Sequence, residues 1–241
     1  MTEERRGALR VRLVVLELEP DDRVARERGG KGFDHGLPVL CARLADRVGH
    51  QVLESATKRL GSEAGRGEHA LIDVETRDSI AVVRLNAPPV NALDREVLLE
   101  ITATLRAIEA TDARAVVLTG SGSAFSAGAD LFRVLNEGDE YLRTSLAALT
   151  EAFGTLFQFP LPVVAAVNGH AIAGGAVLVC ASDHRISAAG NHKIGFAELR
   201  VGVPFPAWAL EIARWGTRPA NFQEVVYFGR SYDPEAALAR G

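Results

Sequence analysis

The chain has 241 residues, enough to bury a sizeable core as one large domain or as a core domain with an appendage. Lys and Arg number 27 against 31 Asp and Glu, a formal net charge of -4 with the signs interspersed. That balance excludes the basic field needed for nucleic acid or an anionic membrane, and small-molecule chemistry fits better.

Residues 1–70 differ in texture from the rest, being rich in Arg, Glu and Gly with breaks at Gly29-Gly30, Gly32 and Gly65 to Gly67, and they read as an N-terminal extension. Within them Leu40, Leu44, Val48, Val52, Ala56 and Leu60 recur every fourth residue behind Pro38, which predicts one amphipathic helix that packs on the body of the protein or faces a partner. The N-terminus alternates charges through its apolar run and has no signal-peptide pattern. Cys41 and Cys180, far apart among apolar neighbours, read as buried free thiols, so the expected location is the cytoplasm. His35, His50 and His69 lack carboxylates at ligand spacing, and no metal site is expected.

From Leu71 onward the pattern alternates. Ile72 and Val74, a turn at Arg77-Asp78, then Ile80, Val82 and Leu85 predict a hairpin. Pro88 and Pro89 stop it, and Asp94 is placed to cap a helix with the apolar stripe Val97, Leu98, Ile101, Leu105 and Ile108. Residues 114–119 form a short buried strand, so strand, helix and strand predict a crossover unit with parallel pairing. A longer helix is predicted over residues 139–159, with Leu142, Leu146, Leu149, Phe153 and Leu156 on one face. Extended runs follow around residues 185–187 and 193–196, then helices around 208–215 and 221–227. Asp233-Pro234 has the cap and first-turn identities of one more helix.

Two glycine-bearing stretches do not read as ordinary core. In LPVVAAVNGHAIAGGAVL, residues 161–178, a buried strand is broken by Asn168-Gly169, and Gly174-Gly175 opens a helix where two glycines cost propensity, about 1 kcal/mol each. Either a ligand approaches the helix's unpartnered first amides, a site suited to an oxyanion, or helix and strand pack tightly with no ligand. A membrane span is opposed by Asn168, His170 and the central glycines, and a phosphate loop by the lack of Lys after Gly174. The second stretch, GSGSAFSAGAD at residues 120–130, leaves the end of a strand, where α/β proteins place ligands. Phe125 occupies the third glycine position of a dinucleotide fingerprint, and Ser126 stands too far from its strand for a nucleophile elbow, which leaves a serine hydrolase acting through Ser126 as a rival reading.

Together, VNGHAIAGG at residues 167–175 and AFSAGADL at residues 124–131 resemble the two signature loops of the crotonase (enoyl-CoA hydratase/isomerase) superfamily. PPVNAL at 88–93, FAELRVGVP at 196–204 and FGR at 228–230 add to the resemblance, which covers residues 71–241. It implies an α/β fold of the crotonase-like (ClpP/crotonase) class, a core of repeated ββα turns. Most of the usual C-terminal helical region would be lacking, and residues 1–70 would be an appendage without counterpart.

The resemblance implies that the amides of Ala129 and Gly174 face each other across a thioester carbonyl and stabilise an enolate. Coenzyme A would enter as part of an acyl-CoA substrate, with no permanently bound cofactor, and Asn91, Ala92, Leu93, Ala127, Asp130 and Gly175 would line its site. Asp130 serves equally well as the cap of the next helix. Of the two glutamates of the hydratases, the second maps onto Glu198 and the first onto Val177, which moves no proton. Glu198 is thereby the sole general base, which favours Δ3,Δ2-enoyl-CoA isomerisation over hydration; apolar Phe196, Ala197 and Leu199 beside it would raise its pKa. The bland reading is a surface Glu beside Arg200. His170 is expected as a solvent-facing turn residue, and Asp183-His184 as side chains on opposite faces of a strand. A catalytically inactive CoA-thioester binding or assembly protein is the alternative that Val177 motivates. The family implies a homotrimer or hexamer, which the shortened C-terminal region would weaken.

Overall fold

The computed structural model describes residues 13–16 and 70–241. The expected helix over 38–60, Cys41 and the isolated histidines lie outside the described residues. Among the described residues, ten strands form two sheets. β1 (Leu13–Leu16) lies antiparallel on the edge of the larger sheet, beside β8 (His184–Ala188). β2 (Ile72–Arg77) and β3 (Ile80–Leu85) make the expected hairpin. Its turn residues Asp78 (φ 49°) and Ser79 (φ 63°) both take the left-handed conformation that matches the twist of paired strands. β4 (Ala115–Gly120) then pairs parallel to β3, with β6 (Val163–Val167) and β8 continuing in parallel, so the larger sheet runs β1-β8-β6-β4-β3-β2. Helix α1 (Arg95–Glu109) makes the β3–β4 crossover. The Asp94 carboxylate accepts from the Val97 N–H at 2.9 Å as its cap, and all five residues of the predicted stripe are buried.

The rest of the chain repeats one pattern. Three strands of the large sheet continue through a sharp turn into a short strand of a second sheet: β4 into β5 (Ala124–Ser126), β6 into β7 (His170–Ile172), and β8 into β9 (Ile194–Gly195). A helix then returns the chain: α2 (Leu131–Phe157), α3 (Gly174–Ala181) and α4 (Ala207–Gly216) respectively. This is the ββα repeat that the resemblance implied. The main core lies between the large sheet and these helices, built around Phe125, Phe153, Leu98, Leu178 and Ile212. A smaller cluster of Ile80, Val82, Val117, Val164, Ala166 and Ile186 forms on the sheet's other face.

Three expectations change. The helix predicted over 139–159 begins eight residues earlier, at Leu131, and is interrupted at Gly138 (φ 78°, ψ -167°). Its buried residues are Tyr141, Ala148, Ala152, Phe153, Gly154 and Leu156, while Leu142 and Leu146 of the predicted stripe are exposed, so the face turned to the core is rotated from the predicted one. Residues 170–172, read as part of a turn, form strand β7. The predicted helix over 221–227 is a 3-10 turn, Pro219–Asn221, followed by a wider π turn, Gln223–Tyr227. β10 (Ser231–Tyr232) was not anticipated, whereas α5 (Pro234–Leu238) is capped as expected by Asp233, which accepts from the Ala236 N–H at 2.8 Å.

The turn between β6 and β7 crosses the loop after β4 at backbone contact: a Cβ on Gly169 would overlap the carbonyl of Ser123. We therefore expect Gly169→Ala to lower stability by about 1–3 kcal/mol, measurable as a fall in urea midpoint at unchanged m-value.

Candidate active site

In the smaller sheet the order is β10-β9-β7-β5, and β5, β7 and β9 pair in parallel. Parallel strands end on one side, so the segments that follow all three emerge along a single edge, where open α/β sheets take their ligands. These segments are Ala127 to Asp130 after β5, Ala173 and the start of α3 after β7, and Phe196 to Glu198 after β9. A parallel bridge between Ala92 and Gly128, with the Leu93 N–H donating to the Gly128 carbonyl at 2.9 Å, adds the 91–93 segment to the row.

The first two segments touch through glycine. Gly128 has φ 82°, and a Cβ there would stand 2.8 Å from the Ile172 carbonyl oxygen and 3.0 Å from the Gly174 nitrogen. Ala129 follows at an exposed position, and Gly174 is buried at the first turn of α3. Among the described residues, neither the Ala129 nor the Gly174 N–H donates to a backbone carbonyl. Ala173, just before Gly174, has φ 52° and ψ -122°, a conformation that costs a non-glycine residue about 1–3 kcal/mol. Its own N–H is held by the Gly195 carbonyl at 2.9 Å, and the strained peptide sets the direction of the next N–H.

The paired glycines have separate reasons. A Cβ on Gly174 would meet Leu93 Cδ1 at 3.0 Å, the movable end of a side chain. One on Gly175 would overlap the Ser126 backbone carbonyl. Gly175 is thus a packing residue that seats α3 on β5.

Asn91 and Asp130 have structural partners as well. Asn91 is 1% exposed, and its Nδ2 donates to the carbonyls of Ser121 (2.9 Å), Ala124 (2.8 Å) and Phe125 (3.3 Å) while Oδ1 accepts from the Ala87 N–H at 3.0 Å. This side chain fastens the β4–β5 loop. Asp130 caps α2, accepting from the Arg133 N–H at 3.0 Å. Leu93 is buried beside Gly174, while Ala92 and Ala127 are half-buried along the row.

Ser126 is fully buried. Its hydroxyl donates to the Asn91 carbonyl at 2.7 Å and accepts from the Gly128 N–H at 3.1 Å, with no base beside it, so the serine hydrolase reading has no geometry to support it. His170 is exposed, as expected, although it begins β7, and its Nδ1 accepts from the Lys193 N–H at 3.1 Å. Cys180 is a buried free thiol, its pKa pushed up by burial. Among the described residues no group of three or more His, Cys, Asp and Glu could hold a metal ion, and no helix is long and apolar enough to cross a membrane.

Glu198 opens a 3-10 turn, Glu198–Val201, three residues past Gly195. It is 8% exposed, makes no ion pair with Arg200 in the described structure, and its Oε2 is enclosed without a hydrogen-bond partner. Burial raises its carboxyl above the ordinary carboxylate range, against the smaller downward pull of its own N–H and that of Ala197. Leu199, expected to help bury it, is itself exposed. Val177 is fully buried within α3, so no second carboxylate stands at that position. Sequence reasoning did not single out Ala173, whose role lies in a backbone angle that an alanine does not advertise.

The profile of the enoyl-CoA hydratase/isomerase family matches residues 75–241, and the chain belongs to that family. Among its relatives, the probable enoyl-CoA hydratase EchA17 of Mycobacterium tuberculosis is 32% identical over 164 residues, covering 67% of this chain and 62% of that protein. The mitochondrial enoyl-CoA delta isomerase 1 of Homo sapiens is 28% identical over 211 residues, 83% of this chain and 70% of its own. Among solved structures, an enoyl-CoA hydratase/isomerase family protein of Pseudomonas syringae superposes with a TM-score of 0.67 at 32% identity, over 71% of this chain and 74% of that one. The chain spans about three fifths of the length of EchA17.

The raised Glu198 pKa fixes a sign. The folded state holds this proton to higher pH than the unfolded chain, so the contribution of Glu198 to stability falls as pH rises from the ordinary carboxylate range through the folded value. Glu198→Gln carries no such charge. It is expected to match the wild type in thermal stability at acidic pH and to exceed it increasingly toward neutrality, as read by melting curves across pH.

Proposed function

We propose that the chain acts on an acyl-CoA thioester. In this reading the Ala129 and Gly174 amides accept the thioester oxygen and Glu198 moves the proton. Loss of a proton from the carbon next to the carbonyl leaves an enolate, and each well-aimed amide in a dry site stabilises such an oxyanion by about 3 kcal/mol. The half-buried Ala92 and Ala127 would flank the coenzyme A portion, which enters with the substrate. What carries the reading is Glu198: an enclosed carboxylate with one oxygen unpartnered, beyond the strand whose Gly195 carbonyl holds Ala173 in place.

A single carboxylate can remove a proton from one carbon and return it two carbons away, whereas holding a water for addition calls for a second group. Val177 stands where that group would be, which favours Δ3,Δ2-enoyl-CoA isomerisation over hydration. The similarity to the human delta isomerase supports the same preference. Val177 equally motivates a second reading, a CoA-thioester binding or assembly protein without turnover. Self-association as a trimer or hexamer belongs to the proposal and is supported by exposed Leu199, Val201, Tyr227 and Phe228.

Incubation with 3-enoyl-CoA and 2-enoyl-CoA separates the readings. We expect conversion of the 3-enoyl to the 2-enoyl thioester to exceed hydration, and Glu198→Gln to slow it about 10²–10⁴-fold. Turnover that survives the substitution contradicts the role of Glu198; binding with no turnover in the wild type supports the second reading.

A further inference from the structure

The larger sheet has two faces, and the described helices account for one of them. Helices α1 to α5 all pack on the main core, and none contributes to the cluster on the opposite face. That cluster is buried nonetheless: Val82 is 3% exposed, Val117, Val164 and Ile186 are 1%, and Ala166 is 0%. Side chains on one face of a bare sheet stand out into solvent, so burial this deep calls for a second layer. Among the described residues only Ala188 packs against the cluster as a partly buried apolar side chain, and it belongs to the same sheet.

Topology indicates where the layer comes from. β1 ends at Leu16 on one edge of the sheet and β2 begins at Ile72 on the other, five strand spacings or about 24 Å away. The chain between them must therefore pass from edge to edge, and α1 to α4 already fill one face.

Composition narrows the segment. Charged residues and glycine dominate residues 1–12, 17–36 and 61–69, which carry too few apolar side chains to cover a sheet. Between the last two lies the stripe Leu40, Leu44, Val48, Val52, Ala56 and Leu60. Wound as a helix, that stretch is about 30 Å long, enough to reach across the sheet.

We propose that residues 40–60 form a helix lying across the second face of the larger sheet, with the stripe against Val82, Val117, Val164 and Ile186. A second copy of the chain is the weaker occupant, because the connection from β1 to β2 supplies an apolar segment of the right length in any case. The N-terminal extension is then a structural layer of the domain. It backs β4, β6 and β8, the strands that lead into the three loops of the candidate site.

The test is methyl NMR on the full wild-type chain. Nuclear Overhauser contacts are expected from the methyl groups of Val117, Val164 and Ile186 to those of Leu44, Val48 and Val52. They should be absent from isotope-filtered spectra of labelled and unlabelled chains unfolded and refolded together in equal parts. Contacts that appear in the filtered spectra assign the cover to a second copy and overturn the proposal, as does the lack of any contact from these sheet methyls to residues 40–60. Val48→Asp sets a charge on the stripe and is expected to lower the melting temperature by roughly 5–10 °C and to shift the Val117 and Val164 methyl resonances. Resonances that stay in place contradict the docking; should the variant fail to fold, the wild-type contacts decide.

Discussion

Two stretches of chain forty-odd residues apart meet at backbone contact only because Gly128 lacks a side chain. A methyl group there would press on the Ile172 carbonyl and the Gly174 nitrogen together, and its φ of 82° lies where other residues are strained. The remaining arrangement depends on that approach. With Gly128 in place, the Ala129 segment runs beside the start of α3, and Ala92 bridges to it from the other side. The third segment reaches the same edge because β9 runs parallel to β7 and its Gly195 carbonyl takes the Ala173 N–H.

The strain and desolvation concentrated along this edge are offset elsewhere. Ala173 adopts a conformation usually left to glycine, and Glu198 is enclosed with an oxygen unpartnered, two features that lower stability locally. Against them stand the many bonds of Asn91 to the β4–β5 loop, the buried Ser126 hydroxyl spanning Asn91 and Gly128, and the fully buried α3. Residues resembling ligand contacts in sequence thus divide into two kinds. Asn91, Ser126, Asp130 and Gly175 hold the loops in position, while among the described residues the Ala129 and Gly174 N–H groups donate to no backbone carbonyl and Glu198 Oε2 has no hydrogen-bond partner.

Much of the fold was legible because its local signals agreed with its tertiary outcome. The hairpin, the Asp94 and Asp233 caps and the buried stripe of α1 follow from alternation, capping chemistry and helical period. Helix α2 was misjudged because its first turns show no core-facing stripe: Phe132 and Leu135 are exposed, and Gly138 breaks the run. β7 and β10 were hidden by their length, since strands of three and two residues carry no period to detect. At the candidate site, the motifs pointed to loops that the fold brings to one edge of the smaller sheet, but not to what each residue packs against. A glycine needed for packing, as at Gly175, and one beside a free amide, as at Gly174, look alike in sequence and differ only in what a Cβ would strike.

The central claim, that two peptide N–H groups and one enclosed carboxylate act on the carbon next to a thioester carbonyl, is tested most directly by isotope exchange on a saturated substrate that can do nothing else. Incubation with butyryl-CoA in D₂O, followed by mass spectrometry, is expected to show deuterium entering at the carbon beside the carbonyl faster than in buffer alone. Tight binding of butyryl-CoA with exchange no faster than in buffer would contradict it.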